Sequence, residues 1–271
     1  MRSSLREVYD GTGTGDRDEA RRFFSRVRLP SGVFKATEPH RLDDLNRLVE
    51  PLLPDARPLE LMDVAASTGI TSLEWSEQLA AAEIEHRLLC GDSHVEGTWL
   101  RLPGLGDVLL DQDRREILFL ELFGRTVDPS GGTRKSALAL PALRAIVWVG
   151  LQLRFPVRRV DLVDPAVRSS SAVSVIQDDI FLHRPELNGR FHVLRAANIL
   201  NRAYFDDEQL RTGVASLRER LRPGGLLILC RTHDDGTNHG SILQAMDEGW
   251  IVVARIGHGS EIEDLIAVGA T

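Results

Sequence analysis

The chain has 271 residues, enough for one α/β domain with a substantial core plus extensions. Its 33 basic residues against 40 acidic ones leave a formal net charge of −7, which argues against broad binding along a nucleic-acid backbone and favours a protein or small-molecule partner. No apolar run reaches the roughly 18 residues of a membrane span, the N-terminus lacks an apolar signal core, and Cys90 and Cys230 sit in apolar runs without partner spacing, so a cytoplasmic chain with reduced cysteines is expected.

Residues 1–57 read as an N-terminal helical extension, with a basic helix near Glu19–Val27 and a second one over roughly His40–Leu53. Its GTGTGD tract (residues 11–16) invites a phosphate-loop reading, but no strand precedes it, and a loop is the simpler account. From residue 58 to 271 the pattern is that of a doubly wound, Rossmann-like α/β domain, interrupted by an insertion at about 98–157.

The domain opens with LELMDVAASTGITSLEW, residues 59–75. An apolar run ends at Asp63, small residues follow from Ala65 to Gly69, and a helical pattern begins at Ile70. Strand, tight loop and helix in this order let the backbone approach a ligand over the helix N-terminus. A second apolar run, Leu88–Cys90, ends at Asp92, about twenty residues beyond Gly69, where α/β nucleotide-binding folds place an acidic residue on a ribose. An adenosine-containing ligand fits both features; an unliganded turn packed with small residues is the other reading. A dinucleotide fingerprint would need three glycines to clear a pyrophosphate, and this loop has one, Gly69.

Asp63 before a loop of alanine, serine and threonine resembles the first motif of the class I S-adenosylmethionine-dependent methyltransferases, and AASTG (residues 65–69) resembles the loop of the chemotaxis-receptor glutamate methyltransferases, the CheR-type branch. The resemblance implies S-adenosylmethionine as cofactor and S-adenosylhomocysteine as product. It implies a cofactor site built from Asp63, Ala65, Ser67, Gly69, Asp92 and Ser93, with Asp178, Asp179 and Ile180 after the third strand (SVIQDDIF, residues 174–181) at the adenine. Ala196 and Asn198, at the end of the fourth strand in FHVLRAANILNRAYFDDEQL (residues 191–210), complete it. Asn198, Tyr204 and Phe205 match that family's pattern, while Ala197 stands where the family usually has arginine. In SGVFKATEPHRLDDL (residues 31–45), Phe34 and Lys35 would hold the places of a phenylalanine and a basic residue that pack over the cofactor.

Within the insertion, residues 107–124 read as a hairpin around the polar turn Asp111–Glu116, followed by a Gly/Ser loop (residues 128–136) and an apolar helix over about 137–153. The chemotaxis family also carries a small β subdomain that holds substrate, so a docking or lid role is one reading and an extension of the sheet or a dimer contact is the other.

Leu210, Val214, Leu217 and Leu221 recur at helical spacing behind Asp206 as cap, and RPGG (residues 222–225) turns that helix into the strand LLILC (residues 226–230). WIVVARIGHG (residues 250–259) and IEDLIAVGA (residues 262–270) are β-prone and are expected to form the antiparallel pair that ends a class I methyltransferase sheet.

The implied reaction is in-line displacement of a methyl group onto a small-molecule or peptide side-chain acceptor. A general base is needed only for an acceptor that must lose a proton. Asn201, Tyr204, His233 and His239, in the loops after the fourth and fifth strands, are the candidates to face the acceptor; the two histidines are open to a second reading as exposed loop residues. No spacing supports a metal site, and a homodimer is compatible with the pattern. A chain that binds S-adenosylmethionine without turning it over and, less favoured, a nucleotide-binding Rossmann oxidoreductase are the alternatives.

Overall fold

Alternation of apolar residues at period two in some segments and near 3.6 in others divides the chain into strands and helices in the computed structural model, which describes residues 5–9, 17–29, 32, 34–35, 37–127 and 134–266. In chain order the elements are helices Leu5–Tyr9 (α1), Arg17–Phe24 (α2) and Asp43–Val49 (α3), strand Leu59–Val64 (β1), helix Ile70–Ala81 (α4), and strands His86–Asp92 (β2), Glu96–Leu102 (β3), Gly106–Asp111 (β4), Ile117–Leu122 (β5) and Arg125–Val127 (β6). Helix Arg134–Gln152 (α5), strand Val157–Asp161 (β7), helix Pro165–Ser169 (α6), strands Val173–Gln177 (β8) and Phe191–Ala197 (β9), helix Asp207–Arg220 (α7), and strands Leu221–Thr232 (β10), Asn238–Ala245 (β11) and Trp250–Ile256 (β12) complete it. Two compact units result, one from residues 1–37 and 94–166, the other from residues 38–93 and 167–271.

The first unit holds a five-stranded antiparallel sheet in the order β6-β5-β4-β3-β7. Strand alternation sends Trp99, Leu109, Phe119 and Val160 to one face, where Leu5, Phe23, Phe24 and Val27 of the N-terminal segment cover them. Leu100, Val108, Leu110 and Leu120 face the other way and are covered by Val147 of α5. The hairpin read from residues 107–124 is real, Leu109 pairing with Phe119, and its two strands lie inside this separate sheet. Lys35 is fully buried here, while Phe34 is half-exposed with the Arg28 guanidinium 5.7 Å from its ring centre. The GTGTGD tract and most of the Gly/Ser loop at 128–136 lie outside the described residues.

The second unit is built on a seven-stranded sheet in the order β12-β11-β10-β9-β1-β2-β8. Strands β8, β2, β1, β9 and β10 are parallel, and β11 and β12 run antiparallel at one edge. The chain leaves β1 toward β2 and β8 on one side and returns to β9 and β10 on the other. The crevice at the carboxyl ends of β1 and β9 is therefore the switch point where open α/β sheets bind ligands. Helix α7 starts with a capping box, Asp206 accepting from the Gln209 N–H at 2.9 Å and Gln209 accepting from the Asp206 N–H at 3.0 Å, and buries Leu210, Val214 and Leu217.

The antiparallel edge differs from the sequence reading in its members. Residues 250–256 are a strand, but the partner is β11, which precedes it. In the segment read as a second strand, Glu263–Leu265 forms one turn of 3₁₀ helix and residues 267–271 lie outside the described ones. Gly240 explains why β11 is hard to read: a Cβ there would come within 2.4 Å of the Leu229 carbonyl oxygen, so close strand packing demands a residue that β-propensity disfavours.

Candidate functional site

The loop between β1 and α4 adopts an alternating left-handed backbone, with φ of 53° at Ala65, 57° at Ser67 and 80° at Gly69. Only Gly69 takes such a conformation without a Cβ clash; at Ala65 and Ser67 it costs on the order of 1–2 kcal/mol each. Local ties hold it in place. The Ala66 N–H donates to Gly91 O at 3.0 Å, the Gly69 N–H to Ala66 O at 2.9 Å, and the Ser67 N–H to Asp92 Oδ2 at 2.8 Å. Helix α4 then begins with no side-chain cap, and the Ser67 hydroxyl oxygen is buried without a hydrogen-bond partner. A strained loop, an uncapped helix N-terminus and an orphaned buried hydroxyl in one turn fit a polar ligand laid across it.

The four acidic residues at the strand ends divide into two kinds. Asp63 is buried and meets Arg195 of β9 through both oxygens, at 3.1 and 2.5 Å, while Ser72 Oγ donates to Oδ2 at 2.5 Å. The Arg195 guanidinium also donates to Asn46 Oδ1 at 2.8 Å and Thr71 O at 3.0 Å, and lies 4.5 Å from the Trp75 ring centre. Asp178 is likewise buried and bound by Arg220 at the end of α7, at 2.6 and 3.3 Å, with Arg184 at 3.7 Å. These two carboxylates knit the sheet to its helices. Asp92 instead turns its carboxylate toward the β1–α4 loop, and Asp179, which is exposed, accepts the Phe181 N–H at 2.9 Å. Its neighbour Ile180 is in the core; Ser93 is exposed just after β2; Ala196 is buried in β9 opposite Val64.

Beyond β9, Asn198 takes φ 62°, donates its N–H to Cys230 O at 2.7 Å and accepts the Thr232 N–H on its side chain at 2.6 Å. Asn201 is buried; its amide donates to Asn198 O and accepts the Ala203 N–H at 3.0 Å. Both amides shape the loop. Tyr204, by contrast, is half-exposed, and Phe205 packs edge-on to Phe181 with ring centres 5.0 Å apart.

After β10, the His233 and His239 rings lie 4.4 Å apart, and His258, which the sequence reading did not single out, meets His239 edge-on at 4.8 Å. Gly257 leaves room for this: a Cβ there would come within 2.3 Å of the His239 ring. Burial pushes the thiols of Cys90 and Cys230 up to about 12, next to Asp63 and Asp44 respectively, so neither is a nucleophile near neutral pH. Arg195 was legible in principle, since a charged residue inside the apolar strand VLRAA must be paired if buried; nothing near Arg220 signalled its partner.

No protein-family model matches the chain, and no curated protein matches its sequence. Solved structures that the chain matches include the CurJ carbon methyltransferase, at 15% identity over 84% of this chain and 41% of that one, with a TM-score of 0.38. The CMeT domain of the citrinin polyketide synthase matches at 14% identity over 83% and 41%, TM-score 0.37. A Rhodobacter sphaeroides protein described as a Zn-dependent alcohol dehydrogenase matches at 14% identity over 80% and 55%, TM-score 0.37. The chain thus spans only about two fifths to a little over half of these structures. Among the described residues, no helix is long and apolar enough to cross a membrane.

Proposed function

We propose that the chain is an S-adenosylmethionine-dependent methyltransferase whose acceptor is a small molecule or a peptide side chain. The observation that carries this reading is the β1–α4 loop: left-handed at three alternate positions, with one glycine among them and the Ser67 N–H on Asp92. Side chains at Ala65 and Ser67 narrow the space that a pyrophosphate would need, which favours a single nucleoside over a dinucleotide.

In this reading the backbone of Ala65, Ser67 and Gly69 lies against the ligand, the Ser67 hydroxyl gains the partner it lacks, and Asp92 accepts from a ribose. Asp179 and Ile180 flank the adenine; Asp63 and Asp178 act indirectly, by fixing the strand ends. S-adenosylmethionine, when bound, supplies an already activated methyl group, so the protein's work is to orient the acceptor and exclude water. The half-exposed Tyr204 phenol and the His233–His239 pair are the groups placed to orient an acceptor or take its proton, and Asn201 positions the loop that carries Tyr204. A nearer kinship to chemotaxis-receptor methyltransferases is supported by AASTG and the Asn198–Phe205 stretch alone, and the internal engagement of the Asn198 and Asn201 amides weighs against carrying over that family's acceptor chemistry. It also favours the second reading, binding without turnover.

Calorimetric titration with S-adenosylmethionine, S-adenosylhomocysteine and NAD tests the proposal. Binding of both S-adenosyl compounds with none of NAD is the expected result; binding of NAD alone overturns it. Conversion of bound cofactor in the presence of a panel of acceptors then separates an enzyme from a silent binder.

A further inference from the structure

Away from the crevice, two carboxylates and an imidazole meet between α4 and the turn that leads into α3. His40 Nδ1 lies 3.2 Å from Asp43 Oδ2 and 3.9 Å from Glu74 Oε1, and the three ligand atoms all fall within 4.8 Å of one another. The two distances from Nδ1 bracket the roughly 3.3 Å between neighbouring ligand atoms that bonds of about 2.0–2.1 Å make around a tetrahedral ion. A plain ion pair explains less of this. One imidazole nitrogen gives its proton to one carboxylate, and neither carboxylate is paired with a lysine or arginine among the described residues.

Each ligand is aimed by a further contact. The Glu74 side chain is only 11% exposed, and its two oxygens accept the His40 N–H at 3.1 and 3.0 Å. Gln78 Nε2 donates to Asp43 Oδ1 at 2.8 Å, which leaves Oδ2 for the imidazole. Gln78 Oε1 accepts from Asn46 Nδ2 at 2.8 Å and Asn46 Oδ1 accepts from Arg195, so the orientation of Asp43 runs back to the buried Arg195–Asp63 pair. Outer contacts that fix ligand side chains in this way are typical of metal sites. His40 itself is 75% exposed, which gives an ion a way in and leaves room for solvent at the open positions.

We propose that His40 Nδ1, Asp43 Oδ2 and Glu74 Oε1 bind a divalent first-row transition ion such as zinc. One imidazole with two carboxylates offers nitrogen and oxygen to a borderline ion and carries two negative charges that the ion neutralises, whereas calcium and magnesium take oxygen ligands. The bound ion ties the turn before α3 to α4 and takes no part in the cofactor reading. Spacing along the chain conceals the set, because Glu74 comes from a separate helix and joins the other two only through packing.

The test is calorimetric titration of the chelator-treated full-length protein with zinc chloride at about pH 7.5, above the ordinary imidazole range, alongside melting temperatures with and without the ion. His40→Asn removes the imidazole in favour of a residue that tolerates the left-handed backbone at this position, φ 59°, and Glu74→Gln keeps the shape of the carboxylate without its charge. We expect the unsubstituted protein to bind zinc with micromolar or tighter affinity and to melt several degrees higher with it. Each variant should bind at least tenfold more weakly and, without zinc, melt within a few degrees of the unsubstituted protein; should Glu74→Gln fail to fold, the exposed His40 decides. Absence of micromolar binding overturns the proposal, as does an unchanged affinity in either folded variant. Loss of the ion in His239→Ala with its retention in His40→Asn overturns it too, and places the ion at the grouped rings of His233, His239 and His258.

Discussion

Asp63 and Asp92 end adjacent parallel strands, both are buried, and they do opposite things. Asp63 is bound by an arginine arriving from β9, whereas Asp92 accepts the Ser67 N–H of the β1–α4 loop. Asp178 and Asp179 repeat the contrast one strand further out, the first bound by Arg220 and the second exposed beside Phe181. A carboxylate at a strand end thus marks the carboxyl edge of the sheet, and its contacts with distant segments decide whether it ties strand to strand, as Asp63 does, or strand to loop, as Asp92 does. Position alone cannot separate the two.

The largest effect expected from breaking this contrast is that of Arg195→Met. Removing one partner of a fully buried ion pair leaves Asp63 uncompensated, at a cost of about 3–5 kcal/mol, which urea denaturation would read as a lowered midpoint. Arg220→Met should cost less, roughly 2–3 kcal/mol by the same reasoning, because Arg184 remains 3.7 Å from Asp178; an equal loss in both variants would show that Arg184 contributes nothing. Asp92→Ala should act on binding, weakening S-adenosylhomocysteine affinity by about 1–3 kcal/mol, and unchanged affinity in titration would remove Asp92 from the site.

Smaller effects sharpen the same comparison. Glu263 pairs with Arg255 at 2.5 Å on a partly exposed surface, and that hydrogen-bonded arginine holds its carboxyl below the usual glutamate range. A depressed carboxyl contributes stability that is present above the unfolded-state value and lost as the pH falls through the folded one. Glu263→Gln should therefore flatten the acid limb of the stability profile by no more than about 1 kcal/mol, the scale of exposed pairs. Least of all, Ala65→Gly exchanges about 1–2 kcal/mol of left-handed strain for about 0.5–1 kcal/mol of backbone entropy, and should raise the melting temperature slightly if the loop geometry is as described.

The parts of this molecule that were legible in the sequence are those governed by local chemistry. Asp206 ahead of an apolar helical stripe specifies a cap, Asp63 to Gly69 a strand–loop–helix turn, and residues 107–124 a hairpin. What escaped depended on contacts between distant segments: the pairing of Arg195 with Asp63 and of Arg220 with Asp178. The closing edge of the sheet was misread because Gly240 and Ser241 look like loop residues until the backbone of β10 is set against them, while the β-prone residues after Ile256 have no strand to pair with among the described residues.

The composition of the first unit bears on how the chain is made. Phe23, Phe24 and Val27 leave the ribosome ahead of β1, α4 and β2, yet the strands they cover, carrying Trp99, Leu109 and Phe119, are synthesised only after those elements. For that interval an amphipathic segment has no native surface to bury against, a long closure has to be made before any contact rewards it, and the growing chain carries an aromatic stripe open to misassembly or to a chaperone. Moving residues 1–37 to a position just before β3 would abolish that wait, and the speed at which such a permuted chain folds would measure how much the native order costs.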